Sequence, residues 1–176
     1  TPVHVIFLEL LMGPTCSIAY ENEPMEAGTM QRPPRRLDIT FLSWTELRTS
    51  LVQGLMITVG TLGSYQWAVQ QGLDEDGVRT QVFITLVVAN IALTLVNRSF
   101  RHSILTTLAY RNPLIRGILF ATVVLLLALL HVPVLRDFFQ LSLPTGGQQV
   151  VAVLLGLASV VWYEGVKAWK RHTETA

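Results

Sequence analysis

Apolar residues along the chain fall in five long blocks separated by polar connections. The blocks predict helices over about 2–20, 50–69, 80–96, 114–132 and 150–168. Each reaches or approaches the roughly 20 residues that a membrane-spanning helix needs. The third is short enough to require polar flanks or a thinned bilayer. A soluble protein can hide one such block in its core, but five in 176 residues leave too little chain to cover them. The pattern predicts an all-α membrane protein: one membrane domain over residues 1–176, built as a bundle of five transmembrane helices.

The first block, TPVHVIFLELLMGPTCSIAY, carries Glu9 near its middle and Gly13-Pro14 just after. A carboxylate at membrane depth costs roughly 2.5 kcal/mol or more unless it finds a partner, a cation or a proton. Proline removes a backbone donor and disfavours helix at the residue before it. The helix is therefore expected to loosen about one turn past Glu9 and to free carbonyl oxygens beside the carboxylate. Loosened backbone in a membrane survives only when it is buried in protein or lines a cavity. An acid with freed carbonyls is how discontinuous transport helices build cation sites. The competing reading is a proline-kinked structural helix whose glutamate stays protonated or hydrogen-bonded.

Charge sets the expected orientation. The connection between the first two blocks, the one between the third and fourth with the start of the fourth, and the tail hold Arg32, Arg35, Arg36, Arg48, Arg98, Arg101, Arg111, Arg116, Lys167, Lys170 and Arg171. The other two connections hold only Arg79 and Arg136. Eleven basic residues against two put the first side in the cytoplasm by the positive-inside rule. Five spans then leave the N-terminus on the non-cytoplasmic side and the C-terminus in the cytoplasm. Trp44, Trp67, Trp162 and Trp169 lie at or near block ends, where interfacial anchors belong. Arg32-Pro33-Pro34-Arg35-Arg36 reads as a stiff basic turn, or as a topology signal touching anionic lipid. Asp74-Glu75-Asp76-Gly77 lacks the later glutamate of a calcium loop and reads as a solvated turn.

Composition agrees: 51% of residues are apolar and 14% charged, with a net charge of +1. The single cysteine, Cys16, excludes an internal disulfide and reads as a small packing residue. The first block lacks the basic start of a signal peptide. The chain begins at a hydrophobic segment without Met, which suggests a fragment. In the second block Gly54, Thr58 and Thr61 share a helical face, with Gly60 and Ser64 spaced four apart nearby; small residues so placed let helices pack closely in lipid. Asn90, central in the third block, either ligates a cation or hydrogen-bonds to another helix. Gln53 and Gln66 pack or face the interface. Glu164, near Lys167 and Lys170, reads as part of a snorkelled, charge-paired helix end. His4 and His131 fall near one surface and His102 and His172 near the other, without metal-ligand spacing. No phosphate-binding glycine loop or catalytic triad is recognisable, and no nucleic-acid partner is expected.

The stretch FLELLMGPTCSIAYENEPMEAGTMQRPPR resembles the sixth span and following loop of P-type cation-transporting ATPases of the calcium-pump type. Its most specific part runs from Asn22 to Arg35. VNRSF, YRNP and the final VVWYEGVKAWKRH resemble features of the same family's eighth to tenth spans, so the resemblance covers the whole chain. It implies the C-terminal, cation-translocating membrane part of an ion pump. In that family ATP phosphorylates a cytoplasmic aspartate, and cations pass sites among the fourth, fifth, sixth and eighth spans. The Asp-Lys-Thr-Gly-Thr phosphorylation motif is absent from this stretch, so no catalytic residue is assigned and the chain alone is not expected to hydrolyse ATP. It carries no cofactor; the parent would use ATP and magnesium. The implied partners are the lipid bilayer, the parent's other spans and cytoplasmic domains, and the transported cation.

Aligned through Arg32-Pro33-Pro34-Arg35, the family's sixth-span Asn-x-x-Thr-Asp falls on Glu9, Met12 and Gly13, so the usual shared aspartate is missing. Asn90 takes an eighth-span position that is glutamate or glutamine in relatives. The resemblance thus implies a cation site formed by Glu9, by carbonyls freed at Gly13-Pro14 and by Asn90. Calcium prefers six to eight hard oxygens. One acid, one amide and a few carbonyls suit a single cation, or a proton carried on Glu9. The rival expectation is a membrane scaffold, a degenerate or regulatory remnant of such a pump.

Overall fold

A computed structural model describes residues 2–21, 30, 44–98 and 112–174, with side chains described except at 11–19, 45 and 170–174. The Asn22 to Arg35 motif apart from Met30, the basic turn Arg32 to Arg36 and the connection at 99–111 lie outside the described residues. Helices form at all five apolar blocks: α1 Pro2–Glu21, α2 Trp44–Gln70, α3 Glu75–Val96, α4 Pro113–His131 and α6 Gly146–Glu174, with a short α5, Pro133–Phe138, between the last two. No strand occurs among the described residues.

Three helices are long and apolar enough to cross a membrane among the described residues: Glu75–Val96, Pro113–His131 and Gly146–Trp169. Helix α2, at 27 residues, is long enough, but Gln53, Gln66 and its Gly, Ser and Thr residues dilute its apolar character. Helix α1 is 20 residues long. It continues through Gly13 and Pro14. The expected loosening is thus not a break in the helix. Proline deletes one amide, so only the Leu10 carbonyl loses its i+4 partner, and membrane helices tolerate that loss.

Helix ends follow local chemistry. Gly72, at φ 70°, ends α2 in a left-handed residue. The Gly72 and Leu73 amides donate back to the Val69 and Ala68 carbonyls, the paired bonds of a Schellman cap. Asp74 then caps α3, its Oδ1 accepting from the Gly77 amide at 3.0 Å. The acidic run is therefore the cap and first turn of α3, where carboxylates favour the positive end of the helix, and not a free turn. Asn112 accepts from the Leu114 and Ile115 amides with Pro113 at the first helical position, which fixes the start of α4. At α6, Thr145 and Gln148 exchange bonds in a capping box: the Thr145 amide donates to Gln148 Oε1 at 2.7 Å.

Helix α3 is the centre of the bundle and packs on α1, α2 and α6. Its approach to α6 passes through Gly156, where an added Cβ would lie 2.8 Å from the Thr85 carbonyl. The approach of α2 to α6 passes through Gly60, where a Cβ would lie 2.7 Å from that of Ser159. One apolar cluster joins Phe83, Ile84 and Val87 to Leu129, Leu130, Phe139, Leu141 and Ala152. A second, nearer the other end, joins Ala89, Ala92 and Val96 to Val160 and Tyr163. Two sets of buried polar groups are paired across helices. Ser64 donates to Thr85 Oγ1 at 2.7 Å, because the Thr85 hydroxyl itself donates to the Gln81 carbonyl. The Gln81 amide, oriented as its neighbours require, bonds the Gln148 carbonyl and the Ala152 amide on α6.

Candidate functional site

Helix α1 is fastened to the bundle near both ends. Near the first, buried His4 stands edge-on to Phe83 and Phe139, with ring centroids 5.4 and 5.6 Å away. Phe7 meets the Phe139 ring at 5.3 Å. Near the second, the Tyr20 hydroxyl donates to the Thr94 carbonyl of α3 at 3.2 Å. Between them Glu9 is exposed, on an arc with the exposed side chains of Val5, Ile6 and Leu10.

Asn90 is half-buried on α3, and its carbonyl accepts from the Thr94 hydroxyl at 2.9 Å. No hydrogen bond joins Glu9 to Asn90 among the described residues. Pro14 leaves the carbonyl of Leu10, the residue after Glu9, without an intrahelical amide. The side chains of Met12, Pro14 and Cys16 lie outside those described. Of the four residues singled out in the sequence, then, three share one helix and Asn90 sits on its neighbour.

A groove of about 610 Å³ opens between α1, α2 and α3. His4, Val5 and Leu8 line it from α1, Tyr65 and Val69 from α2, and Val78, Val82 and Leu86 from α3, with Glu75 and Arg79 at one end. Val5 belongs both to this lining and to the exposed arc that carries Glu9, whereas Glu9 itself does not line the groove.

The opposite end of α3 holds polar contacts that residue spacing did not reveal. Gln53 and Asn97 exchange amide bonds, Gln53 Nε2 donating to Asn97 Oδ1 at 3.1 Å. Lys167, 2% exposed, donates to the Val96 carbonyl at 2.5 Å and to Glu164 at 2.9 Å, and lies 5.7 Å from the Tyr163 ring centre. The charge pairing expected of Glu164 is present. The snorkelling is not: the ammonium turns inward because the last turn of α3 offers carbonyls with no helical donor. Gln53 packs inside and Gln66 is exposed.

Two comparisons bear on this arrangement. The family described as cation transporting ATPase, C-terminus, matches residues 1–169. Over 175 residues, 97% of its length, the chain is 28% identical to a Lactococcus lactis subsp. lactis (strain IL1403) protein named calcium-transporting ATPase 1. Over 161 residues, 92% of its length, it is 23% identical to a Yarrowia lipolytica (strain CLIB 122 / E 150) protein of the same name. The chain spans 19% and 17% of those relatives' lengths.

Proposed function

The chain belongs to the cation transporting ATPase C-terminus family, and from that membership we propose that it is the cation-translocating membrane part of an ATP-driven P-type pump. In this reading α1, α2, α3, α4 and α6 all span the bilayer. The parent uses ATP and magnesium at cytoplasmic domains beyond this stretch. Glu9 coordinates or carries the transported ion, the carbonyls near Gly13-Pro14 add oxygens, and Asn90 adds an amide oxygen from α3.

The observation that carries the reading is Glu9 itself: an acid on an otherwise apolar, exposed arc of α1. In hydrocarbon that placement is costly, so a carboxylate there calls for protein cover, a cation or a proton. Further spans of the parent, packed against this exposed arc of α1, would supply the cover and the missing ligands. The named cargo of both relatives is calcium. Calcium takes about six to eight oxygens, usually with several carboxylates. This chain offers one acid and one amide, which suits a single cation or a proton better.

Glu9→Gln tests the assignment in the complete pump. The amide keeps the size of the side chain and relieves the cost of burying a charge, so the variant should fold. Ion-dependent ATP turnover should lose apparent affinity at least tenfold, a change of about 1.4 kcal/mol. Asn90→Ala removes a dipole and not a charge, and should shift it less. Unchanged ion affinity in Glu9→Gln for every cation and pH tried, calcium included, would remove Glu9 from the site.

A further inference from the structure

The connection between α4 and α6 is not an open loop. Pro133 starts α5, and Gln140, at φ 50°, ends it in the left-handed region, a conformation uncommon outside glycine. The Gln140 and Leu141 amides donate back to the Asp137 and Arg136 carbonyls, completing a Schellman cap on a residue that gains nothing from being there by itself. Two bonds to α3 fix the turn: Arg79 donates to the Gln140 carbonyl at 2.8 Å, and the Ser142 amide donates to Thr80 Oγ1 at 2.8 Å. Phe139 and Leu141 are buried against the α3 cluster. The orientation of α5 is thereby set.

That orientation leaves Val134 76% and Phe138 67% exposed, four residues apart and so on one side of the helix. Leu135 and Phe139 follow on the bundle side, while Arg136 and Asp137 occupy the remaining, polar arc. An exposed phenylalanine beside an exposed valine, rigidly held, is unfavourable in water. The side chains of Val132 and Leu143, in the same connection, are also exposed. All lie within a few residues of the ends of α4 and α6, whose exposed faces carry Phe120, Val124 and Leu154. The apolar surface of the spans thus continues onto α5.

We propose that α5 is an interfacial anchor that lies flat in the bilayer leaflet at this end of the bundle, with Val134 and Phe138 inserted among lipid chains and Asp137 facing water. This rests on the reading of α4 and α6 as membrane spans. The anchor ties the start of α3, through Arg79 and Thr80, to a fixed depth in the membrane. Its partner is lipid, and no headgroup is selected, because the inserted side chains are apolar.

The test uses the complete pump, cysteine-free, in phosphatidylcholine vesicles, with nitroxide spin labels placed singly at positions 134, 137, 138 and 120. Collisions with oxygen and with a water-soluble nickel complex report depth. Labels at 134 and 138 should sit about 5–10 Å below the headgroup boundary, the depth of an interfacial helix, and the label at 137 should sit in water. Labels at 134 and 138 as open to nickel as that at 137 would overturn the anchor. So would labels there shielded from both reagents, which would mean that protein covers α5. Position 120, mid-way along α4, separates the two readings: a label that is deep there while 134 and 138 are wet removes the anchor alone, whereas one that is wet there removes the membrane span as well. Phe138→Trp, which preserves an aromatic ring, gives a second measurement. Its added fluorescence should be quenched by brominated lipid, and no quenching would also overturn the proposal.

Discussion

Lys167 shows at the level of one residue how this bundle handles charge. Its ammonium lies between the Glu164 carboxylate and the Val96 carbonyl at the negative end of α3. Opposite charges at a helix C-terminus are favourable by about 0.3–1 kcal/mol at exposed sites and up to about 2 kcal/mol when partly buried. Breaking the pair with Glu164 costs more than forming it gains, because both charges have been taken out of water to make it. Lys167→Met, similar in length and uncharged, should therefore destabilise the protein by about 1–3 kcal/mol in detergent unfolding, since the Val96 carbonyl and Glu164 each lose the bond that the ammonium makes. Adding Glu164→Gln to Lys167→Met should recover part of that loss. A double variant no better than the single one would mean that the Val96 carbonyl, and not the ion pair, carries the effect.

At the level of helices, close approach depends on two glycines. Gly156→Val would drive Cβ to 2.8 Å from the Thr85 carbonyl and against Val88, backbone and branched side chain that cannot swing aside. The α3–α6 contact should weaken by about 1–3 kcal/mol, the usual cost of overpacking. The same change at Gly63, with nothing within 4 Å, should cost less than a third as much, as thermal unfolding of the two variants side by side will show. The five apolar blocks were legible as helices because a long apolar run in so short a chain has no other way to satisfy its backbone. Their ends were less legible. Helix α3 starts at Glu75 and not near 80 because Asp74 caps it, and the capping box at Thr145 starts α6 ahead of the apolar run at Val150. Pro14 suggested a loosened turn because proline is weighed by its neighbours in sequence, whereas the helix runs on through it, one lost amide being a small perturbation in a 20-residue helix. The buried lysine was illegible for a similar reason: its acceptor, Val96, is 71 residues away. Glu9 was legible as an oddity of composition: an acid in an otherwise apolar block.

At the level of the whole molecule, the two ends of the bundle differ in charge. One end gathers the α2–α3 turn and the α4–α6 connection, with Arg79 and Arg136 as its basic residues. Both lie close to acids: Arg79 binds Glu75 at 2.7 Å and Asp76 at 2.6 Å, and Arg136 lies 3.9 Å from Asp137. The other end carries Arg48 at the start of α2, Arg98 after α3, Arg116 at the start of α4 and Lys167 late in α6. Lys170 and Arg171 follow in α6, and the remaining basic residues of the sequence lie outside the described residues. The positive-inside rule counts lysine and arginine near span ends and is little affected by acids, so the asymmetry rests on the number of basic residues at each end. The basic end should therefore face the cytoplasm. Glu75, with its side chain 89% exposed at the opposite end, is the position to probe. In a cysteine-free pump expressed in intact cells, Glu75→Cys should react with a membrane-impermeant maleimide without permeabilisation, and Arg36→Cys only after it. The reverse result would invert the bundle. Equal labelling of both positions in sealed cells would show two orientations, as expected only if the basic asymmetry were too weak to choose between them.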